Sequence, residues 1–188
     1  MKIKSLAIFS ALLLLTAACS VNHTMTSSSS SMPGVIVGST YSDSDIAAIV
    51  TNANQGEIDQ GQVASTKANS DDVRAFARMM VTDHTSALNQ AQSLLSRTNI
   101  VANDNDISRG LQNASQGTVS ALNTYSGPDF DRTYINSQVD IHQWLLNTLD
   151  NTLIPSANNR QLRDFLKTQR TAVATHLDRA RQIQSNLR

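Results

Sequence analysis

Three histidines and one glutamate stand where an amphipathic helix would ordinarily bury leucine or alanine: Glu57, His84, His142 and His176. Neutral imidazole nitrogens and a carboxylate are suitable ligands for zinc, iron, manganese or copper. The four residues therefore form a candidate ligand set for one divalent transition metal. A second reading competes with it. Inward-facing histidines also occur as hydrogen-bonded core residues, and these four could instead form a buried polar network that sets helix register. No contiguous metal motif such as H-E-x-x-H is present, and there is no Gly-rich phosphate loop or nucleophile elbow. Which reading holds depends on whether the surrounding elements bring the four side chains to one place.

The spacing predicts long helices. A first runs from about Asp43 to Lys67, capped by Ser42 or Ser44, with Asp43 and Asp45 at its positive end. Its inner stripe is Ile46, Ile49/Val50, Ala53, Glu57, Gln60/Gly61 and Ala64. A second follows "ANSDD", capped by Asn69 or Ser70, with Val73, Phe76/Ala77, Met80, His84, Ala87/Leu88, Ala91 and Leu94/Leu95 inward. That is the i, i+3, i+4, i+7 rhythm of a packed helix. After the loop 97–105 a shorter helix spans about Asp106 to Asn123, weakened by Gly110 and Gly117. Pro128 opens the next, with Phe130, Tyr134, Gln138, Ile141/His142, Leu145 and Leu149 inward, and Pro155 ends it. The last runs from about Asn158 to Asn186 and carries Leu162, Phe165/Leu166, Val173, His176, Ala180 and Ile183. At about 1.5 Å rise per residue, each of the four polar residues sits near mid-height of its helix. The expected fold is all-α: a ferritin-like four-helix bundle with an additional shorter crossover helix, which would make the second and third long helices parallel. An up-and-down five-helix bundle is the alternative.

Several stretches also resemble a bacterial envelope family. "NANQGEIDQGQVASTKANSDDVRAFARMMVTDH", "SGPDFDRTYINSQVDIH" and "THLDRARQI" are similar to domain-of-unknown-function 4142 over about residues 44–187. The matching positions are Glu57 and Gly61, Phe76 to His84, Phe130, Asp131 and Tyr134, His142, and His176 with Leu177. The resemblance implies a ferritin-like bundle that is secreted or lipid-anchored. It implies no activity. True ferritins place Glu-x-x-His on two helices, whereas Val81 and Val173 stand three residues before His84 and His176. Di-iron chemistry is thereby disfavoured. Asp83 and Asp140 adjoin histidines in sequence but point about 100° away on a helix, so they are expected to bond to neighbouring helices. Asp131 is expected to stabilise the start of its own helix, and Tyr134 to be a core residue with a bonded hydroxyl.

The rest of the 188-residue chain concerns address. Lys2 and Lys4, an apolar run from Leu6 to Leu15, and Thr16-Ala17-Ala18 read as a secretory signal over residues 1–18. Cys19, the only cysteine, closes a "TAAC" lipobox and is the expected lipidation site. Ser20 after it favours a periplasm-facing outer-membrane lipoprotein. Residues 19–40, with five consecutive serines, form the expected anchor and tether, His23 included, and 41–188 the bundle domain. With Cys19 used, no intradomain disulfide is available, so the fold rests on its core. Net charge is zero and aromatics are 4 %, which speaks against nucleic acid. Charge is polarised, however. Asp43 to Asp72 has six acidic and one basic residue, net −5; Ser156 to Arg188 has seven basic and two acidic, net +5. Ion pairing across solvated helix faces is the expected use, and a contact with anionic lipid or polysaccharide the alternative. The functional expectation is an envelope lipoprotein that binds rather than catalyses, holding one metal through Glu57, His84, His142 and His176. A metal-dependent enzyme and a purely structural interaction module are the alternatives.

Overall fold

The structure, a computed structural model, describes Met32 and residues 40–187. The signal, Cys19 and all of the tether except Met32 and Thr40 lie outside the described residues. The described chain is helical throughout, with no strand: α1 (Asp43–Lys67), α2 (Asp71–Thr98), α3 (Asp106–Thr124), α4 (Gly127–Thr148), a π-helical segment (Leu149–Leu153), the single turn α5 (Ile154–Ser156) and α6 (Arg160–Asn186). None of the described helices is long and apolar enough to cross a membrane.

Local signals account for the helix starts. Ser42 and Asp45 close a capping box on α1, and Asn105 accepts from the Ile107 and Ser108 amides at the start of α3. Ser70 occupies the N-cap of α2 but makes no side-chain cap bond. The turn before α2 is held instead by Asp131 of α4, which is buried and accepts from the amides of Asn69 at 2.9 Å and the N-cap Ser70 at 2.7 Å. Asp131 thus stabilises α2, not its own helix start as expected from sequence. Asp43 does the same for α6, accepting from Asn158 and Asn159 at 2.8 and 2.9 Å. Both carboxylates act across the bundle, so they fix which helix ends meet.

Those end contacts determine the topology. The amide of Asn103 donates to the Ser44 carbonyl, and Asn105 Nδ2 to the Asp45 carbonyl, so α3 begins beside the start of α1. Lys67 Nζ donates to the Leu122 carbonyl at 2.8 Å, so α3 ends beside the end of α1. Helix α3 therefore runs parallel to α1 and returns the chain to the end where α2 began. There α4 starts, and α2 and α4 run parallel. Two antiparallel hairpins joined by a crossover helix is the connectivity expected of a ferritin-type bundle. The up-and-down alternative is excluded.

Helix α1 has neighbours on two sides, and its two interior glycines let them approach. A Cβ on Gly56 would sit 3.0 Å from both Cβ and Oγ of Ser115 on α3. One on Gly61 would sit 2.8 Å from Val81 Cγ2 and 3.2 Å from the Ala77 carbonyl on α2. Because α3 covers its outer side, α1 also buries Ala47, Ala48 and Ile58, beyond the single stripe expected from sequence.

The fourth long helix departs from expectation at its end. Pro155 does not terminate it. Instead the chain widens into a π-helical segment, where the Ile154 amide donates to the Leu149 carbonyl five residues back. Pro155, which has no amide hydrogen to donate, then lies within the next turn.

Apolar packing is split in two. One core includes Ile46, Ile49, Leu94, Leu145, Leu162 and Leu166, with Met32 packed against it. The other includes Ala64, Phe76, Met80, Phe130, Tyr134 and Ile183. Between them lies a layer of buried polar side chains: Asn54, Glu57, Gln60, His84, Gln138, His142 and His176.

Candidate metal centre

The polar layer brings three of the four sequence candidates together. One ring nitrogen from each of His84, His142 and His176 lies within 4.8 Å of the other two. Ring centroids are 5.3 to 6.0 Å apart, with rings tilted or edge-on and never stacked. Each histidine comes from a different helix, α2, α4 and α6, and all three are buried. Among the described residues this is the only group of three or more histidine, cysteine or acidic side chains with metal-ligand proximity.

Each imidazole is fixed at one nitrogen and free at the other. His84 Nδ1 is 2.9 Å from Asn54 Oδ1. The Asn54 amide nitrogen donates to the Val50 carbonyl at 2.8 Å, which orients its oxygen toward the histidine. His142 Nδ1 is 2.8 Å from the Gln138 carbonyl. His176 Nε2 is 3.0 Å from Asp83 Oδ2. All three partners are acceptors, so each of these nitrogens carries the proton. Their opposites, His84 Nε2, His142 Nε2 and His176 Nδ1, are buried lone pairs with no hydrogen-bond partner. Anchoring of one nitrogen by a carbonyl or carboxylate is how metal-binding histidines are held in the correct tautomer.

The electrostatics favour neutral rings. Burial, reinforced by the neighbouring His142 and His176, holds His84 well below the usual imidazole range. Burial, then the charge of His176, lowers His142 to about 3, against a smaller opposing effect of its bond to the Gln138 carbonyl. Near neutral pH these two rings are therefore neutral bases, the form that ligates metal.

Glu57 occupies the same layer but lies outside the nitrogen triangle. It is fully buried, and neither carboxylate oxygen has a hydrogen-bond partner. Burial raises its pKa to about 7. Gln138 itself donates to Gln60 Oε1 at 3.2 Å. Tyr134 lies close enough that burial, and then the Glu57 charge, pushes its phenol well above the usual range. The expected bond of the Tyr134 hydroxyl is absent: it has no partner.

Asp83 makes the interhelical bond expected of it, whereas Asp140 is exposed. Asn54 was not a sequence candidate. Its signal was available, since it precedes Glu57 by three residues on the same helical face. Gln138, whose carbonyl holds His142, was legible only as an inward polar residue, because a backbone contribution leaves no mark in side-chain type.

Among the described residues, eight buried side-chain nitrogens and oxygens lack a partner, and seven belong to Glu57, His84, Tyr134, Gln138, His142 and His176. Native structures keep few such groups, at about 1–3 kcal/mol each.

The chain is thus a crossover helical bundle with a buried three-histidine centre. It belongs to the family described as Domain of unknown function (DUF4142), which matches residues 32–183. No curated protein and no solved structure matches it.

Proposed function

We propose that the bundle is a metal-binding protein and that His84, His142 and His176 hold one divalent transition metal. The observation that carries this reading is the convergence of three buried imidazoles, each with one nitrogen anchored to an acceptor and the other without a hydrogen-bond partner. As a register-setting network alone the layer would be poorly made, because the histidines do not bond to one another. A triangle with edges of up to 4.8 Å has its centre at most 4.8/√3, about 2.8 Å, from each nitrogen. Zinc–histidine bonds are about 2.0–2.1 Å, so binding draws the three rings inward by under 1 Å each. Three neutral imidazoles leave the +2 charge of the ion intact. Glu57, otherwise a buried acid without a partner, supplies one compensating negative charge, as a fourth ligand or through a bound water. Asp83, behind His176, supplies another. Val81 and Val173 leave no Glu-x-x-His pair, so the site takes one ion rather than a di-iron cluster.

Elemental analysis of tag-free protein, purified and reconstituted with zinc, iron, cobalt and copper in turn, tests the reading. One ion per chain, lost in His84→Ala, His142→Ala and His176→Ala with the helical content retained, is the expected result. No stoichiometric ion from any of the four metals would overturn it.

We further propose that the protein acts as a binding lipoprotein at the periplasmic face of the outer membrane, anchored through Cys19. The short apolar leader and the Ser-rich tether support this. Radiolabelled fatty acid should enter the chain and fail to enter Cys19→Ala; label in both, or in neither, refutes the anchor.

A further inference from the structure

The free nitrogens of the centre are sealed. His84 Nε2, His142 Nε2 and His176 Nδ1 are out of reach of solvent, and Glu57 is fully buried. An ion joins them only when a side chain of the shell moves aside. The three anchors differ in how they hold their rings. His142 is fully buried, and its anchor is a carbonyl of its own helix. His84 is tied to Asn54, which is itself buried and tied to Val50. His176 alone is tied to a group that reaches water: the Asp83 side chain is 47 % exposed and that of His176 5 %.

Asp83 on α2 thus stands half in solvent and half in the shell. Its Oδ2 accepts from His176 Nε2 across the seam to α6, and its Oδ1 has no partner among the described residues. Arg179, one turn beyond His176, is turned instead to Asp72 at 3.5 Å. An exposed carboxylate with an open oxygen attracts a hydrated cation and raises its rate of capture. Behind it the ring carries Nδ1, a buried lone pair without a partner. A turn of this one side chain between staggered rotamers brings that lone pair to the seam. The other approach to the layer, beside Asn54, His84 and Gln169, is walled mainly by aliphatic side chains such as Val50, Leu145 and Leu166. Such a wall strips water from an ion without replacing it.

We infer that a hydrated divalent cation enters and leaves the centre at the α2–α6 seam, captured by Asp83 and passed inward by His176. The inference rests on the metal reading above and adds the route to it. Two measurements on tag-free, metal-free protein test it. Diethyl pyrocarbonate, with the modified histidines identified by peptide mass spectrometry, should label His176 ahead of His84 and His142. Stopped-flow mixing with cobalt, read by its visible absorption, should show uptake slowed about tenfold in Asp83→Asn, the gap narrowing at high ionic strength. Asp83→Glu, which restores the charge, should recover most of the rate. Gln169→Leu, at the aliphatic approach, should leave it unchanged. Labelling of His84 or His142 as fast as His176 overturns the inference. So does any of three results with one cobalt still bound per chain: uptake at the parental rate in Asp83→Asn, a slow rate that Asp83→Glu leaves unrecovered, or uptake slowed by Gln169→Leu. In each of these cases the metal centre itself stands. Protein that takes up none of zinc, iron, cobalt or copper overturns both.

Discussion

Replacing Glu57 with glutamine removes a titration from the centre of the fold, and its effect on stability can be worked out with its sign. In the unfolded chain the carboxyl releases its proton near 4.5; in the fold burial delays this to about 7. Between those values the folded chain holds a proton that the unfolded chain has given up. Stability therefore falls as pH rises through this window, and above about pH 7 the loss is complete. The interval of 7 − 4.5 = 2.5 pH units corresponds to about 3 kcal/mol at ~1.36 kcal/mol per unit. The side chain is fully buried, so solvent screening does not reduce this. Glutamine has nearly the same shape and no titration. His84 and His142, with lowered values, add stability that rises with pH below about 6.5, but they are common to both proteins and largely cancel in the difference. Urea unfolding of chelator-treated protein, followed by circular dichroism from pH 4 to 8, should show the variant and the parent equal at pH 4. The variant should become more stable by about 3 kcal/mol at pH 8. With a saturating divalent metal that binds one per chain, the order should reverse, because the cation stabilises the ionised carboxylate. A metal-free difference that does not change with pH would refute the assignment of Glu57 as a buried acid.

Three other perturbations probe the supports of the site. Asp83→Asn removes the charge that holds His176 Nε2 and should weaken metal affinity about 10–100-fold, read by competition with a chromophoric chelator, while the metal-free protein unfolds near the parent midpoint. Asp131→Ala leaves the Asn69 and Ser70 amides without their acceptor and should cost about 1–2 kcal/mol in urea unfolding; an effect near zero would show that water replaces the cap. Gly61→Ala pushes a methyl to 2.8 Å from Val81 Cγ2 and should destabilise by about 1–3 kcal/mol, and Val81→Ala in the same chain should recover part of that loss in a double-mutant cycle.

The surface charge asymmetry has a mixed use. Arg170 pairs with Asp150 and Arg179 with Asp72, which join helices as the sequence suggested. Arg160 and Lys167 instead pair with Asp164 on their own helix, and Arg163 donates to the Ala157 carbonyl. No basic residue of α6 pairs with an acidic residue of α1 among the described ion pairs. All of these pairs are largely exposed, so solvent screening leaves each of them little weight in the fold.

Helix existence and facing were legible because an amphipathic stripe is a local property. The rhythm around Val73, Phe76, Met80 and His84, and around Leu162, Phe165, Leu166 and Val173, needs only the 3.6-residue period to be read. The three histidines were legible as candidates for the same reason: a polar side chain interrupting an apolar stripe at mid-height must be buried by its neighbours. Their meeting was not, because position along a helix gives height and not rotation about the bundle axis. Only the packed helices showed that His84, His142 and His176 converge while Glu57 lies outside their triangle. Asp131 misled for a related reason. A carboxylate at a helix start is suited to its own amides, and only the tertiary arrangement brought the amides of Asn69 and Ser70, in the turn before α2, within its reach. The second buried side of α1 was likewise hidden, since alanines and glycines carry little hydrophobic signal until α3 lies against them. What the chain determined by itself is which side chains go inside, at what height, and that no Glu-x-x-His pair accompanies them. What the tertiary structure decided is which nitrogens are anchored and which are left free. For His84 and His176 that follows from contacts between residues 30 and 93 positions apart, which no local pattern records; His142 alone is anchored within its own helix.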